Sequence, residues 1–116
     1  MEMNLDSIYY NFILDGSKIY ETRIFDEKRQ KIKLLDIIEF KERNSTNSFK
    51  GQIIELSYFD TFRDALVSAG LRKVLPNARS LEDGIGLYEQ FPHKKYGNYK
   101  KAAKEYGVLR MKFKLI

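Results

Sequence analysis

The segment Leu109-Arg110-Met111-Lys112-Phe113-Lys114-Leu115 shows the clearest secondary-structure pattern in the chain. Apolar residues occupy every second position, and a cation lies at each position between them. Successive side chains of a β-strand point to opposite faces of the sheet, so this pattern predicts a strand with one buried face and one basic face. We therefore expect a sheet that includes a strand over about residues 106–115.

Residues 19–25 are rich in β-branched and aromatic residues, which also predicts a strand. Residues 35–43 alternate in part, with Ile38 and Phe40 on one face, and predict a second strand, whose hairpin partner follows the polar turn at 44–48 and covers residues 49–59. Helix-capping residues predict three short helices: Ser7 before residues 8–14, Thr61 before residues 62–69, and Ser80 before a helix that runs toward Gln90. Residues 98–104 predict a further helical turn. The order of these elements predicts an α+β fold, with a mainly antiparallel, partly closed β-barrel and inserted and flanking short helices. We expect residues 1–116 to form a single domain.

The composition excludes several classes of protein. Of the 116 residues, 43% are hydrophobic and 14% aromatic, which is not typical of a disordered chain. Cysteine is absent, which excludes disulfides and zinc sites built on thiolates. No apolar run reaches the roughly 18 residues of a membrane span, and the first residues, with Glu2 and Asp6, do not resemble a signal peptide. We therefore expect an intracellular protein, cytoplasmic or nuclear, with no membrane partner.

The net charge of +5 is concentrated in two segments that are rich in lysine. They contain Lys28, Arg29, Lys31 and Lys33 in the first case, and Lys94, Lys95, Lys100, Lys101 and Lys104 in the second. Basic clusters interleaved with aromatic residues favour nucleic-acid binding, because cations attract phosphates and aromatic rings stack on bases. Sixteen acidic residues are also present, so the same charge is compatible with ordinary solubility.

The run Gly16-Ser-Lys-Ile-Tyr-Glu-Thr-Arg23 places three charged residues at the start of a predicted strand. Glu21 and Arg23 are two positions apart, so they share a face of the strand at a separation of about 7 Å. Lys18 precedes the strand and can turn to either face. A carboxylate between two cations keeps its charge and suits the recognition of a polar planar ligand. The alternative is an ion pair on a solvated sheet face, which would have little effect on stability.

Other chemistry-bearing patterns are weak or absent. Gly84 and Gly86 do not form a phosphate-binding loop, no serine lies in a nucleophile elbow, and the single His93 has no obvious metal partners. We therefore expect no metal and no cofactor. Tyr58 is a candidate stacking surface, because it offers a ring face and a hydroxyl. Arg63 lies in a first helical turn, where the helix dipole disfavours cations, and is a candidate for binding a phosphate or carboxylate.

Several motifs together resemble the ASCH family, whose domain is similar to the PUA RNA-binding fold. They are the Gly-x-Lys-x-x-Glu-x-Arg run at Gly16, Lys18, Glu21 and Arg23, the strand at residues 36–40, the stretches at residues 62–76 and 81–88, and a closing strand that starts at Glu105. The motifs occur in the order of the family, from about residue 8 to the end of the chain. One position departs from the pattern, because Leu35 stands where the family usually has glycine.

The resemblance implies a PUA-like barrel and a binding module for RNA or a modified nucleotide or nucleoside. Lys18, Glu21 and Arg23 would then read the edge of a base in a cleft, and Tyr58 or a neighbouring ring would stack on it. The larger basic clusters would contact phosphates; their candidate residues are Lys100, Lys101 and Lys104.

The resemblance is also compatible with an enzymatic function. Some ASCH proteins are small hydrolases that remove an acyl group from a modified cytidine, with the equivalent of Lys18 as nucleophile or base, and Glu21 would be a second catalytic residue here. Two departures weaken this hypothesis, because Glu21 replaces a threonine and residues 76–78 contain no acid where one is expected. A ribonuclease is a further alternative without a signature of its own. The sequence favours binding over catalysis and leaves the oligomeric state open.

Overall fold

A computed structural model describes all residues from Met1 to Ile116. The chain forms seven strands and five α-helices, with a short 3-10 helix at Arg29–Lys31. The strands are β1 (Glu2–Leu5), β2 (Tyr20–Ile24), β3 (Ile37–Glu42), β4 (Ser48–Phe59), β5 (Pro92–His93), β6 (Gly97–Asn98) and β7 (Val108–Leu115). The helices are α1 (Ser7–Leu14), α2 (Phe62–Ala69), α3 (Leu71–Val74), α4 (Leu81–Glu89) and α5 (Tyr99–Tyr106). None of these helices has both the length and the apolar character that a bilayer span requires.

Five strands form one strongly curled half-barrel, in the order β1-β3-β4-β7-β2. The pairs β3–β4, β4–β7 and β7–β2 are antiparallel, which confirms the α+β, mainly antiparallel fold expected from the sequence. The pair β1–β3 is parallel, and strand β1 was not predicted, so the sheet is mixed. The two edge strands lie close to each other, as shown by the hydrogen bond of 3.2 Å that Arg23 on β2 donates to the carbonyl oxygen of Asn4 on β1.

Two hydrophobic clusters lie on opposite faces of the sheet. Inside the curl, Phe40 and Ile53 pack with Met111 of β7 and with the buried face of α1. On the other face, helices α2, α4 and α5 pack around the parallel rings of Phe62 and Tyr88, whose centroids are 5.0 Å apart. The alternation of β7 therefore reflects burial of Leu109, Met111 and Phe113 inside the half-barrel. The prediction was wrong for Leu115, which lies at the end of the strand and is 44% exposed.

The helix caps follow the sequence closely. Thr61 and Ser80 each accept a hydrogen bond of 3.1 Å from the backbone N–H three residues later, and Asn98 caps α5 in the same way. Gly70 ends α2 with a φ of 87°, a conformation that glycine adopts without strain. The predicted cap at Ser7 was wrong, because the first helix begins at Ser7 itself and Asp6 holds the N-cap position without a side-chain hydrogen bond. The helix α3 directly after Gly70 was not predicted.

The prediction of a fully basic face on β7 was wrong for Arg110. Its side chain is buried, with 6% of the residue exposed, because α2 covers this part of the strand. The guanidinium donates hydrogen bonds to the carbonyl oxygen of Ala65 at 2.7 Å and to Ser68 Oγ at 2.6 Å. It also lies within 5 Å of the ring centroids of Tyr20 and Phe59, so it anchors α2 to the sheet.

Leu35, the residue that departs from the family pattern, adopts a left-handed conformation with a φ of 70°. This conformation costs an L-residue with a Cβ roughly 1–2 kcal/mol, and the Leu35 side chain gains little by burial because 61% of the residue is exposed. We expect Leu35→Gly to raise the free energy of unfolding by about 0.5–1 kcal/mol, after the greater entropy of glycine in the unfolded chain is subtracted.

Urea denaturation measures this difference, and Leu35→Ala is the matched control. Alanine removes the same exposed side chain but keeps the Cβ, so its stability is expected to stay close to that of the wild type. A lower stability for Leu35→Gly than for Leu35→Ala would contradict our interpretation that the backbone of Leu35 is strained.

Candidate functional site: a cleft between the edge strands

A cleft of about 310 Å³ lies where the two edges of the half-barrel approach each other. Strands β1 and β2 form two of its walls. Leu75 after α3, Leu87 and Tyr88 of α4, and Phe91 and Pro92 at β5 close the opposite side. The volume is within the range typical of small-ligand pockets, and the cleft combines apolar walls with several charged groups.

Lys18 lies at the bottom of this cleft, with only 2% of the residue exposed. Gly16, with a φ of 85°, forms the turn after α1 that brings Lys18 inward, and the backbone N–H of Lys18 bonds to the carbonyl oxygen of Phe12. The ammonium donates hydrogen bonds to the carbonyl oxygen of Val74 at 2.5 Å and to Glu21 Oε1 at 3.3 Å. Both contacts compensate part of the cost of removing a charge from water.

Glu21, of which 5% is exposed, is the hub of the polar contacts in the cleft. Its Oε1 accepts hydrogen bonds from the backbone N–H of Thr22 at 2.9 Å and from the hydroxyl of Tyr88 at 3.0 Å, in addition to Lys18. Its Oε2 has one partner, the Arg23 guanidinium at 3.4 Å. Glu21 and Arg23 thus share a face of β2, as their spacing predicts.

Burial and neighbouring charges shift the pKa values of these groups in a consistent way. Burial lowers the pKa of Lys18, and Glu21 opposes that shift only in part. Burial alone would raise the pKa of Glu21, but the charges of Lys18 and Arg23, together with the hydrogen bonds from Thr22 and Tyr88, outweigh it and hold the pKa below its usual value. Burial also raises the pKa of Tyr88 well above its usual value, so its hydroxyl remains a donor. The cleft therefore holds an ionised carboxylate between fixed donors.

The burial of Lys18 and Glu21 contradicts the alternative of an ion pair on a solvated sheet face. Glu21 Oε2 accepts a single hydrogen bond, and the Arg23 fork uses only one of its nitrogens in contacts with Glu21 and Asn4. An acceptor and several donors are therefore available side by side to a ligand in the cleft.

The other residues singled out from the sequence lie outside this cleft. Tyr58, of which 56% is exposed, packs edge-on against Phe25 and lines a separate open groove together with Lys104. Arg63 forms an exposed ion pair of 2.7 Å with Glu82. Lys100 and Lys101 are exposed on α5 and do not line the cleft. Tyr58 is separated from the cleft because β7 lies between β4 and β2 in the sheet, a strand order that the sequence does not reveal.

Sequence reasoning missed a second polar cluster at the rim of the cleft. Asp26 Oδ2 accepts a hydrogen bond from Arg29 at 2.8 Å and lies 3.2 Å from His93 Nε2. His93 Nδ1 accepts from the backbone N–H groups of Lys95 and Tyr96, so the neutral ring carries its proton on Nε2 and donates to Asp26. Asp26 and His93 are 67 positions apart, and no local pattern signals their contact.

Tyr88 was also missed as a site residue, although it closes one of the motifs that resemble the ASCH family. Its hydroxyl reaches Glu21 across 67 positions of sequence, because α4 packs on α2 and α5, which in turn contact β2. The described residues contain no group of three or more His, Cys, Asp or Glu side chains that could hold a metal ion.

Comparison with solved structures gives matches over nearly the whole chain. The crystal structure of hypothetical protein PH0355 has a TM-score of 0.84 and 32% sequence identity, over 99% of this chain and 97% of the other. The solution structure of protein PF0455 from Pyrococcus furiosus has a TM-score of 0.76 and 30% identity, over 99% of this chain and 96% of the other. No protein-family model and no curated protein matches the chain.

Proposed function

This chain belongs to the same family as PH0355 and PF0455, and we propose that it is an ASCH-like module that binds a nucleotide. The ligand is a free nucleotide or a single unpaired nucleotide of RNA, and its base enters the cleft between β1 and β2. The observation that carries this proposal is the buried Lys18–Glu21–Arg23 cluster at the bottom of a concave site. The order of motifs that resemble the ASCH family, together with the half-barrel, supports the same assignment.

The chemistry of the cleft suits a nucleobase. A base is a planar ring whose edge carries donors and acceptors side by side, and the exposed nitrogens of Arg23 and the Glu21 Oε2 atom offer complementary partners. The apolar and aromatic walls at Leu87, Tyr88 and Phe91 favour a flat ring over a flexible polar chain. Stacking is assigned in this proposal to the aromatic walls of the cleft, in place of Tyr58.

Three charged groups in a small cleft are also difficult to explain by stability alone. Apolar residues of similar volume often stabilise a fold as well as a buried ion pair does, because both ions must be removed from water. A site that recognises a polar ligand gives a reason to retain them, since donors and acceptors held in fixed positions lose little entropy on binding.

A hydrolase that acts on an acylated cytidine is the second candidate, and the environment of Lys18 favours it. Burial lowers the pKa of Lys18, and a neutral amine is the form that can act as nucleophile or base. Glu21 at 3.3 Å stabilises the charged form instead, which is why binding remains our first proposal.

Lys18→Arg separates the two functions. Arginine keeps the positive charge and remains protonated near neutral pH, so we expect binding of a nucleotide to fall by about tenfold rather than disappear. Any turnover that depends on a neutral lysine would be lost completely. The measurements are calorimetric titration with a nucleotide and hydrolysis of acylated cytidine, and thermal unfolding verifies that the variant is folded.

The outcome assigns the function. Absence of turnover in the wild type, with a graded loss of binding in Lys18→Arg and a greater loss in Lys18→Met, supports a binding module. Wild-type turnover that Lys18→Arg abolishes would overturn our preference and identify an enzyme.

A further inference from the structure

We infer that the mouth of the cleft is a phosphate subsite formed by Lys28 and Arg29, so that the ligand is a nucleoside phosphate rather than a neutral base or nucleoside. This inference rests on the proposed function, because it assumes that the base occupies the bottom of the cleft. It goes further in assigning the ligand a charge, a position for that charge and the residues that hold it.

The first argument is the distribution of charged groups along the depth of the cleft. Lys18 and Glu21 are buried at the bottom, whereas Lys28 is exposed and Arg29 is partly exposed at the rim. A ligand with a polar ring at one end and an anionic group at the other matches this order. The solvated end is also where a strongly hydrated phosphate is bound at the lowest desolvation cost.

The second argument is that the rim cations are available. The two acids of the β1 wall already have partners, since Glu2 pairs with Lys41 at 3.0 Å and Asp6 with Arg43 at 3.4 Å. Lys28, in contrast, has no carboxylate within 4.0 Å. The rim therefore has a cation that nothing in the protein neutralises.

The third argument is that Arg29 is held in place. The carboxylate of Asp26 accepts two hydrogen bonds from Arg29, one of 2.8 Å from the guanidinium and one of 3.3 Å from the backbone N–H. Asp26 is itself buried and accepts from His93, which joins the β5–β6 hairpin to this rim. Asp26 uses one guanidinium nitrogen, so the remaining N–H donors of Arg29 stay available in a fixed orientation. Asp26 is in this view a positioning residue.

A phosphate is the anion that fits this arrangement best. It carries about −1.5 to −2 charges as a monoester and offers several acceptor oxygens, which suit the fork of an arginine and the point charge of a lysine. The phosphate can come from a free mononucleotide or from a phosphodiester of single-stranded RNA. In both cases it is joined through a ribose to the base at the bottom of the cleft.

The test compares the four ribonucleosides with their 5′-monophosphates by calorimetric titration. We expect at least one monophosphate to bind the wild type about tenfold more tightly than its nucleoside, and added salt to weaken only the monophosphate. Lys28→Ala should remove most of that advantage and leave the affinity for the nucleoside unchanged. The matched control is Lys31→Ala, because Lys31 is an exposed lysine of the same segment that does not line the cleft.

Each outcome bears on one of the two proposals. Equal affinity for nucleoside and monophosphate, or equal effects of Lys28→Ala and Lys31→Ala, would overturn the phosphate subsite and leave base binding intact. Absence of binding by all eight compounds and by a short single-stranded RNA would overturn the proposed function. Binding of the RNA alone, with the loss confined to Lys28→Ala, supports the subsite with a phosphodiester as its ligand.

Discussion

Glu21→Gln is expected to lower the free energy of unfolding by about 3–5 kcal/mol, because it leaves buried cations without their carboxylate. Lys18 has 2% of its surface exposed, and Glu21 is its only acidic partner. Glutamine preserves the shape of the side chain and most of its hydrogen bonds, so the decrease in the free energy of unfolding measures the effect of removing the negative charge. Urea denaturation at neutral pH measures it.

Two further variants make this result specific. Glu82→Gln removes the acid of an exposed ion pair with Arg63 and is expected to change stability by less than about 1 kcal/mol. The double variant Lys18→Met, Glu21→Leu removes the two most buried charges and should recover part of the stability that Glu21→Gln loses, because the Lys18 ammonium is no longer left without a carboxylate. A cost for Glu21→Gln as small as that for Glu82→Gln would show that the cleft is more hydrated than its geometry indicates.

Arg23→Ala is expected to weaken nucleotide binding by about 100-fold, the second large effect. Arg23 contacts Glu21 and spans the gap between β2 and β1 through Asn4, so its removal takes away both ligand donors and the fixed position of the carboxylate. Truncation of one partner of a hydrogen-bonded charge pair at a binding site costs about 2–5 kcal/mol. The measurement is calorimetric titration with the tightest 5′-monophosphate.

Arg63→Ala is the control for this prediction. Arg63 is also an arginine with a carboxylate partner, but it is exposed and lies outside the cleft. Its replacement is expected to leave the affinity unchanged, and Arg23→Lys should give an intermediate loss because lysine cannot reproduce the planar fork. Similar nucleotide affinities for Arg23→Ala and the wild type would show that Arg23 does not contribute to binding.

The parts of the fold that could be predicted from the sequence are those set by local patterns. The alternation of β7 and the caps at Thr61 and Ser80 depend on neighbouring residues only, and the structure has them. Strand β1 has just four residues, and its parallel pairing with β3 joins segments some 37 positions apart, so no local signal predicts it. The burial of Arg110 likewise depends on where α2 packs.

The same distinction holds for the candidate site. The period of a strand places Glu21 and Arg23 on one face, and that is the part the sequence predicts. The carbonyl oxygen that accepts from the Lys18 ammonium belongs to Val74, and the hydroxyl that donates to Glu21 belongs to Tyr88, both distant in sequence. The roles proposed for Tyr58, Arg63 and the α5 lysines rested on residue type, on a position in a helix or on clustered charge, none of which fixes a place in the fold. The structure separates all of them from the cleft.

An NMR titration of isotope-labelled protein with the four 5′-monophosphates shows directly whether the ligand binds in the cleft or in the separate groove at Tyr58 and Lys104. If the cleft between β1 and β2 binds the base, the largest shift changes should occur at the backbone amides of Glu21, Thr22, Arg23 and Tyr88, and they should saturate with increasing ligand. They should be lost in Arg23→Ala and kept in Arg63→Ala. Changes confined to the groove at Tyr58 and Lys104, or no changes with any of the four ligands, would contradict nucleotide recognition by the buried Lys18–Glu21–Arg23 cluster.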